Sequence, residues 1–163
     1  MMINKILEVL KQLQGHVHYI GEDIFGEWSF EYDKPATEDE IELFEKTIAI
    51  LPDDYKEFLK TTNGMSFCTG SLYSLEWIVK VRETMDFKKG IYPIGYVLED
   101  YIVIKSDEIP SGNYMYVGYA YASDEYFSLH CSFETFFDRF TIISGDNFWT
   151  WQECWEEMYD FLY

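Results

Sequence analysis

The sequence predicts an α+β domain: an antiparallel sheet of about five to six strands, helices packed on one face, and helices at both the N- and C-terminal ends. Three observations carry that prediction. Apolar residues recur at helical spacing near both termini and between residues 37 and 64. β-branched and aromatic runs, separated by Gly, Asn, Ser and Asp, fill the middle. The connections between those runs are short, which implies antiparallel neighbours in sequential order.

Ile3, Ile6, Leu7, Leu10 and Leu13 recur at helical spacing before Gly15, so Ile3 to Gln14 forms an opening amphipathic helix. A polar and aromatic connector follows, Gly15 to Pro35, with a short strand expected around Trp28 to Tyr32. Thr37-Glu38-Asp39-Glu40 is a capping box, in which the Thr37 hydroxyl and the Glu40 carboxylate satisfy each other's orphan amides. Ile41, Phe44 and Ile48 form the apolar stripe of that helix. In LPDDYKEFLKTTNG, Leu51 to Gly64, Pro52 suits the first helical position and Asn63-Gly64 tolerates the left-handed conformation that ends a helix. Tyr55, Phe58, Leu59 and Thr62 share one face of it.

After Gly64 the pattern turns strand-like, with strands expected near Ser71 to Leu75, Ile91 to Tyr96, Tyr101 to Ser106, Asn113 to Tyr121 and Tyr126 to Cys131. Leu98-Glu99-Asp100 and Tyr121 to Glu125 have the composition of hairpin turns. Trp77 to Phe87 fits a helical face through Trp77, Ile78, Val81 and Met85, and a strand through Ile78, Val79 and Val81; we read a short helix or turn. Ser132 caps a helix whose Phe133, Phe136, Phe137 and Phe140 share a face. Thr150 to Glu153 is a second capping box, followed by Trp151, Trp155, Met158 and Leu162 as a buried stripe. No repeat, low-complexity tract or linker interrupts the chain, so residues 1–163 read as a single domain.

The run ATEDEIELFEKTIAILPDDYKEFLKTTNG, Ala36 to Gly64, resembles the signature of the SUKH superfamily, whose members include bacterial immunity proteins and a fungal cell-wall regulator. The matching pattern is an acidic amphipathic helix, then Leu-Pro, Tyr, Phe-Leu and a terminal Asn-Gly. Tyr92-Pro93-Ile94-Gly95 and the aromatic helix from Ser132-Phe133-Glu134 look like later family elements. The resemblance implies an immunity protein: a cytoplasmic antitoxin without enzymatic activity that binds the toxic domain of a bacterial polymorphic toxin. The alternative it implies is a regulatory scaffold.

Thirty acidic residues against twelve basic give a formal charge of −18. A surface of that sign repels nucleic acid and anionic lipid and attracts basic partners; equally, it keeps an aromatic-rich protein soluble. Many toxins of this kind are nucleases with basic clefts, so the implied partner is a basic toxin domain and the implied mode an acidic decoy. No apolar run approaches the ~20 residues that span a bilayer, and Met1 to Gln14 lacks a signal-peptide core, so a cytoplasmic protein is expected. Oligomeric state stays open.

Catalytic chemistry finds little support. Cys68, Cys131 and Cys154 lack metal-ligand or redox spacing and read as buried thiols. His16 and His18 have no third ligand at zinc spacing, and His130 points away from Cys131 in an expected strand. Glu38, Asp39, Glu42 and Glu45 decorate an outer helix face; Asp53 and Asp54 complement a helix dipole. No glycine pattern matches a phosphate cradle, and Trp149, Trp151 and Trp155 suit core packing better than a stacking platform. We therefore expect no enzyme, cofactor or metal. What remains is protein contact, for which acidic turns carrying Tyr or Trp are the candidates: Trp28, Glu31, Tyr32 and Asp33; Glu99, Asp100 and Tyr101; and Tyr119, Tyr121, Asp124 and Glu125. Each is equally an ordinary exposed loop.

Overall fold

The N-terminal stripe forms helix α1, Met2–Leu13, which buries Ile3, Leu7 and Leu10. The computed structural model describes residues 2–21, 24–27, 29–67, 69–85, 87–119 and 126–142. Strands β1 (Val17–Gly21), β2 (Ile24–Glu27) and β3 (Phe30–Tyr32) occupy the connector, with β1 and β2 paired as a separate antiparallel hairpin. Helices α2 (Glu38–Thr47) and α3 (Asp53–Thr61) follow, then β4 (Met65–Phe67), β5 (Gly70–Leu72) and α4 (Leu75–Thr84). The chain continues with β6 (Ile91–Val97), β7 (Asp100–Lys105), a 3-10 turn at Ser106–Ser111, β8 (Met115–Tyr119), β9 (Tyr126–Ser128) and α5 (Phe133–Ile142).

Strands β3 to β9 make one seven-stranded sheet in sequential order, and every neighbouring pair in it is antiparallel. The α+β architecture with helices at both ends is as the sequence predicts, but the sheet is larger than the five to six strands expected. The additional strand is β4, three residues long and too short for apolar alternation to register, whereas β3 falls within the short strand expected around Trp28 to Tyr32 and β5 overlaps the one expected near Ser71 to Leu75. The strand expected to reach Leu75 stops at Leu72, because Leu75 opens α4. Trp77 N–H donates to Ser74 Oγ at 3.2 Å, and Leu75 N–H donates to Asn63 Oδ1 at 3.0 Å. The strand expected to reach Cys131 stops at Ser128; His130 turns the chain at φ 50.

The capping box is present as predicted: Glu40 N–H donates to Thr37 Oγ1, and Thr37 N–H donates to Glu40 Oε2 at 2.7 Å. Those bonds hold the Glu40 carboxyl below the usual carboxylate range. Pro52 sits one position earlier than predicted, as the extended N-cap of α3 instead of its first helical residue. Tyr55, Phe58, Leu59 and Thr62 are all buried, and Gly64 takes φ +113. Glu45, expected on a solvated face, reaches across to α3, accepting from Leu51 N–H at 3.1 Å and from the Lys56 ammonium. Asp54 likewise turns inward, against its expected role as a first-turn solvated acid.

The core lies between the helices and one face of the sheet. From α5, Phe133, Phe136, Phe137 and Phe140 are buried as the sequence predicts. Phe58 of α3 meets Phe133 and Phe137 edge-on at 5.3 Å each, so two helices interlock through rings. Beneath them stand Tyr92, Ile94, Ile102, Ile104 and Met115 from β6, β7 and β8. Pro93 occupies β6 at a register shift between Pro93 and Gly95, the bulge position at which a residue without N–H is tolerated in a sheet interior. Cys131 is a buried free thiol, whereas Cys68, Cys154 and the expected helix after Thr150 lie outside the described residues.

Candidate functional site

Because side chains alternate along a strand, the core residues Met65, Leu72, Ile102 and Met115 place their sequence neighbours on the opposite face. Following the register across the sheet gives one continuous row on that helix-free face. Glu31 of β3 pairs with Ser66 of β4, and Ser66 with Ser71 of β5. Ser71 pairs with Tyr96 of β6, and Tyr96 with Tyr101 of β7. Tyr101 pairs with Gly118 of β8, and Gly118 with Tyr126 of β9. The row thus spans all seven strands and consists of hydroxyl-bearing and acidic side chains around one glycine.

The row is partly roofed at one end. Gly118 has no side chain, and Phe87, from the α4–β6 connection, meets both flanking rings, Tyr101 at 6.0 Å and Tyr126 at 6.5 Å. Beside it, the Lys105 ammonium lies 3.9 Å from the Tyr116 ring centroid and 5.7 Å from that of Tyr126. These tyrosine rings therefore already hold one cation over their π surface. In the middle of the row Tyr96 is 41% exposed and stacks obliquely on Tyr73 at 6.0 Å. Burial, reinforced by Tyr101 and Tyr96, pushes the Tyr73 hydroxyl pKa up. The Glu31 end is open, with Glu31 and Ser66 exposed.

Of the residues singled out from the sequence, the structure brings Glu31 and Tyr101 into this row. Glu99 and Asp100 lie at its rim, in and just after the two-residue turn joining β6 to β7, beside Leu98, which is 54% exposed at φ 54. Tyr32 is directed to the other face: it packs against the core, burial raises its pKa, and its hydroxyl is buried without a hydrogen-bond partner among the described residues. Asp33 is exposed just past β3, with its N–H donating to the Gly64 carbonyl at 3.2 Å. Tyr119 ends β8 opposite Asp100. Trp28, Tyr121, Asp124 and Glu125 lie outside the described residues.

Sequence reasoning missed Ser66, Ser71, Tyr96 and Tyr126. The signal that finds one of them is the hairpin turn at Leu98-Glu99, which fixes Tyr96 opposite Tyr101 once the turn length is known. Among the described residues, no three His, Cys, Asp or Glu side chains converge as metal ligands. No helix among them is long and apolar enough to cross a membrane.

Residues 35–139 match the SMI1/KNR4 family (SUKH-1). The chain belongs to that family. The SUKH-1 match starts just before α2 and ends within α5, so it takes in Ser66, Ser71, Tyr96, Tyr101 and Tyr126 and leaves Glu31, together with α1, outside. Two Bacillus subtilis (strain 168) proteins are similar. YnaB is 32% identical over 135 residues, which is 80% of this chain and 94% of YnaB. YobM is 34% identical over 149 residues, which is 80% of this chain and 78% of YobM.

Proposed function

We propose that this SUKH-1 protein is an immunity protein without enzymatic activity, which acts in the cytoplasm by binding the toxic domain of a bacterial polymorphic toxin and blocking it. The observation that carries the reading is the charge surplus. With thirty acidic and twelve basic residues, pairing every cation one-to-one within the chain would still leave eighteen acids unmatched. Such a surface is unsuited to nucleic acid or anionic membrane and suited to a basic protein. A nuclease domain offers the matching target, because its cleft must be basic to hold phosphates. The immunity protein occupies that cleft as an electrostatic decoy, and opposite charge raises the association rate to about 10⁸–10⁹ M⁻¹s⁻¹ at low salt. Speed matters for a protein that competes with catalysis.

Co-expression tests this. A toxin-like domain encoded beside this gene should arrest growth alone, and the immunity protein should restore growth and co-purify with the domain. Arrest without rescue or complex contradicts the proposal, and the lack of any toxin-like neighbour favours a regulatory scaffold.

A further inference from the structure

Nothing in the acid surplus says where on the molecule a basic partner sits. The helices cover one face of the sheet and contribute the core; the opposite face is closed over Pro93 and Val103, which are buried, and open at Glu31, Ser66 and Tyr96, which are exposed. Its composition is unlike a merely solvated face. The row from Glu31 through Ser66, Ser71, Tyr96 and Tyr101 to Tyr126 carries no aliphatic side chain and no cation. Tyrosine supplies large contact area with few torsions to freeze, and serine supplies adaptable hydrogen bonding, a combination typical of protein-recognition surfaces.

The same face already holds one cation of the chain itself. Lys105 places its ammonium 3.9 Å from the Tyr116 ring centroid, so the tyrosines of this face accept a cation over the ring. Away from Lys105, at Tyr96 and toward Glu31, the row has the same chemistry with no cation over the Tyr96 ring among the described residues, and Tyr96 is 41% exposed. An incoming Arg or Lys side chain can lie on the Tyr96 ring with Ser71, one strand away, accepting its N–H groups, and a second can reach Ser66 and the opposite charge of Glu31, two and three strands away.

We infer that the helix-free face, centred on Tyr96 and running to Glu31, is the docking surface for a basic protein partner whose Arg and Lys side chains seat on the tyrosine row. This rests on the immunity reading above and adds to it the location and the recognition chemistry. The partner's basic surface meets the flat of the sheet, not the acidic helix α2.

The test uses the toxin domain encoded beside this gene, inactivated in its own active site, and the full-length protein. Tyr96→Ala removes the ring and Ser66→Arg adds a repelling charge at an exposed strand position; Gln12→Arg adds the same charge on the exposed side of α1. Both row variants should weaken the complex roughly tenfold or more, as loss of an interface anchor does, and Gln12→Arg should bind within about twofold of wild type, as a residue outside the interface does. Hydroxyl-radical footprinting of the wild-type complex reads the same face without substitution: Tyr96 should become protected and Trp77 of α4, 50% exposed, should not. Wild-type binding with Tyr96 unprotected and both row variants unimpaired overturns the docking surface and leaves the immunity reading standing. If the wild-type protein forms no complex, the immunity reading falls and this surface falls with it.

Discussion

Asp54 and Tyr114 are joined by a hydrogen bond in which the Tyr114 hydroxyl donates to Asp54 Oδ1, sixty residues apart in the chain. The pair does one job together. Phe133 N–H donates to the Tyr114 hydroxyl at 3.1 Å and Glu134 N–H donates to Asp54 Oδ2 at 2.8 Å, so two orphan amides at the start of α5 are satisfied from α3 and from the β8 approach. An acid in the first turn of one helix thereby caps another. Asp54→Ala should cost about 2–3 kcal/mol, the range for a charged hydrogen-bond partner removed from half-buried groups. Tyr114→Phe should cost about 1–3 kcal/mol, and the double substitution less than the sum. Urea unfolding of the four proteins gives the coupling.

Tyr55 makes the opposite prediction at a neighbouring ring. It is fully buried, stacks with Phe58 and meets Phe133 edge-on at 4.7 Å, yet its hydroxyl has no hydrogen-bond partner among the described residues. Tyr55→Phe keeps the packing and removes an unsatisfied polar group. It should leave stability unchanged or raise it by about 1 kcal/mol, whereas Phe58→Ala should cost about 3–5 kcal/mol. A loss above about 1 kcal/mol in Tyr55→Phe, the net worth of a typical hydrogen bond, would show that the hydroxyl is bonded.

Gly70 sets how closely the two halves of the sheet approach. A Cβ there would lie 2.0 Å from the Tyr96 carbonyl oxygen, and one at Gly95 would lie 2.4 Å from the Ser71 carbonyl oxygen. These neighbours are backbone atoms of the β5–β6 pairing, which cannot rotate aside. Gly70→Ala should therefore destabilise by about 3 kcal/mol or more, the upper range for overpacking. Thermal melting checks it, with Gly112→Ala as the comparison at a site with nothing within 4 Å of the added carbon but a left-handed φ of 76.

Alkali should unfold the protein early. Burial pushes the Cys131 thiol up to about 11 from 9.0, and burial also raises the hydroxyls of Tyr55, Tyr92 and Tyr114. Each group keeps its proton longer folded than unfolded, so its contribution is complete below the unfolded pKa and is lost as pH rises toward the folded one. For Cys131 that window is pH 9 to 11, where the folding constant should fall by roughly tenfold per pH unit from this group alone. Cys131→Ala should flatten the stability profile below pH 10, before the tyrosines contribute.

Helix termini are legible in the sequence because their chemistry is local. Thr37 and Glu40 need only each other, and the four phenylalanines of α5 announce their face by spacing alone. The long strands β6, β7 and β8 are legible for the same reason, having enough residues to alternate. What escapes is set by pairing between distant segments. Strand β4 takes its extended form from neighbours on both sides, Asn63 caps a helix twelve residues on, and Asp54 reaches α5 eighty residues away. The tyrosine row belongs to this class: Tyr101 stands out beside acids, but its alignment with Ser66, Ser71 and Tyr126 exists only through the register of six pairings.

Immunity by direct occlusion is tested most directly by titrating purified toxin domain, from the gene beside this one, with the purified protein and measuring residual toxin activity. Direct blocking predicts a linear fall to baseline at about one molar equivalent, with an association rate that drops steeply as salt rises. Full toxin activity at a large molar excess of this protein would contradict it.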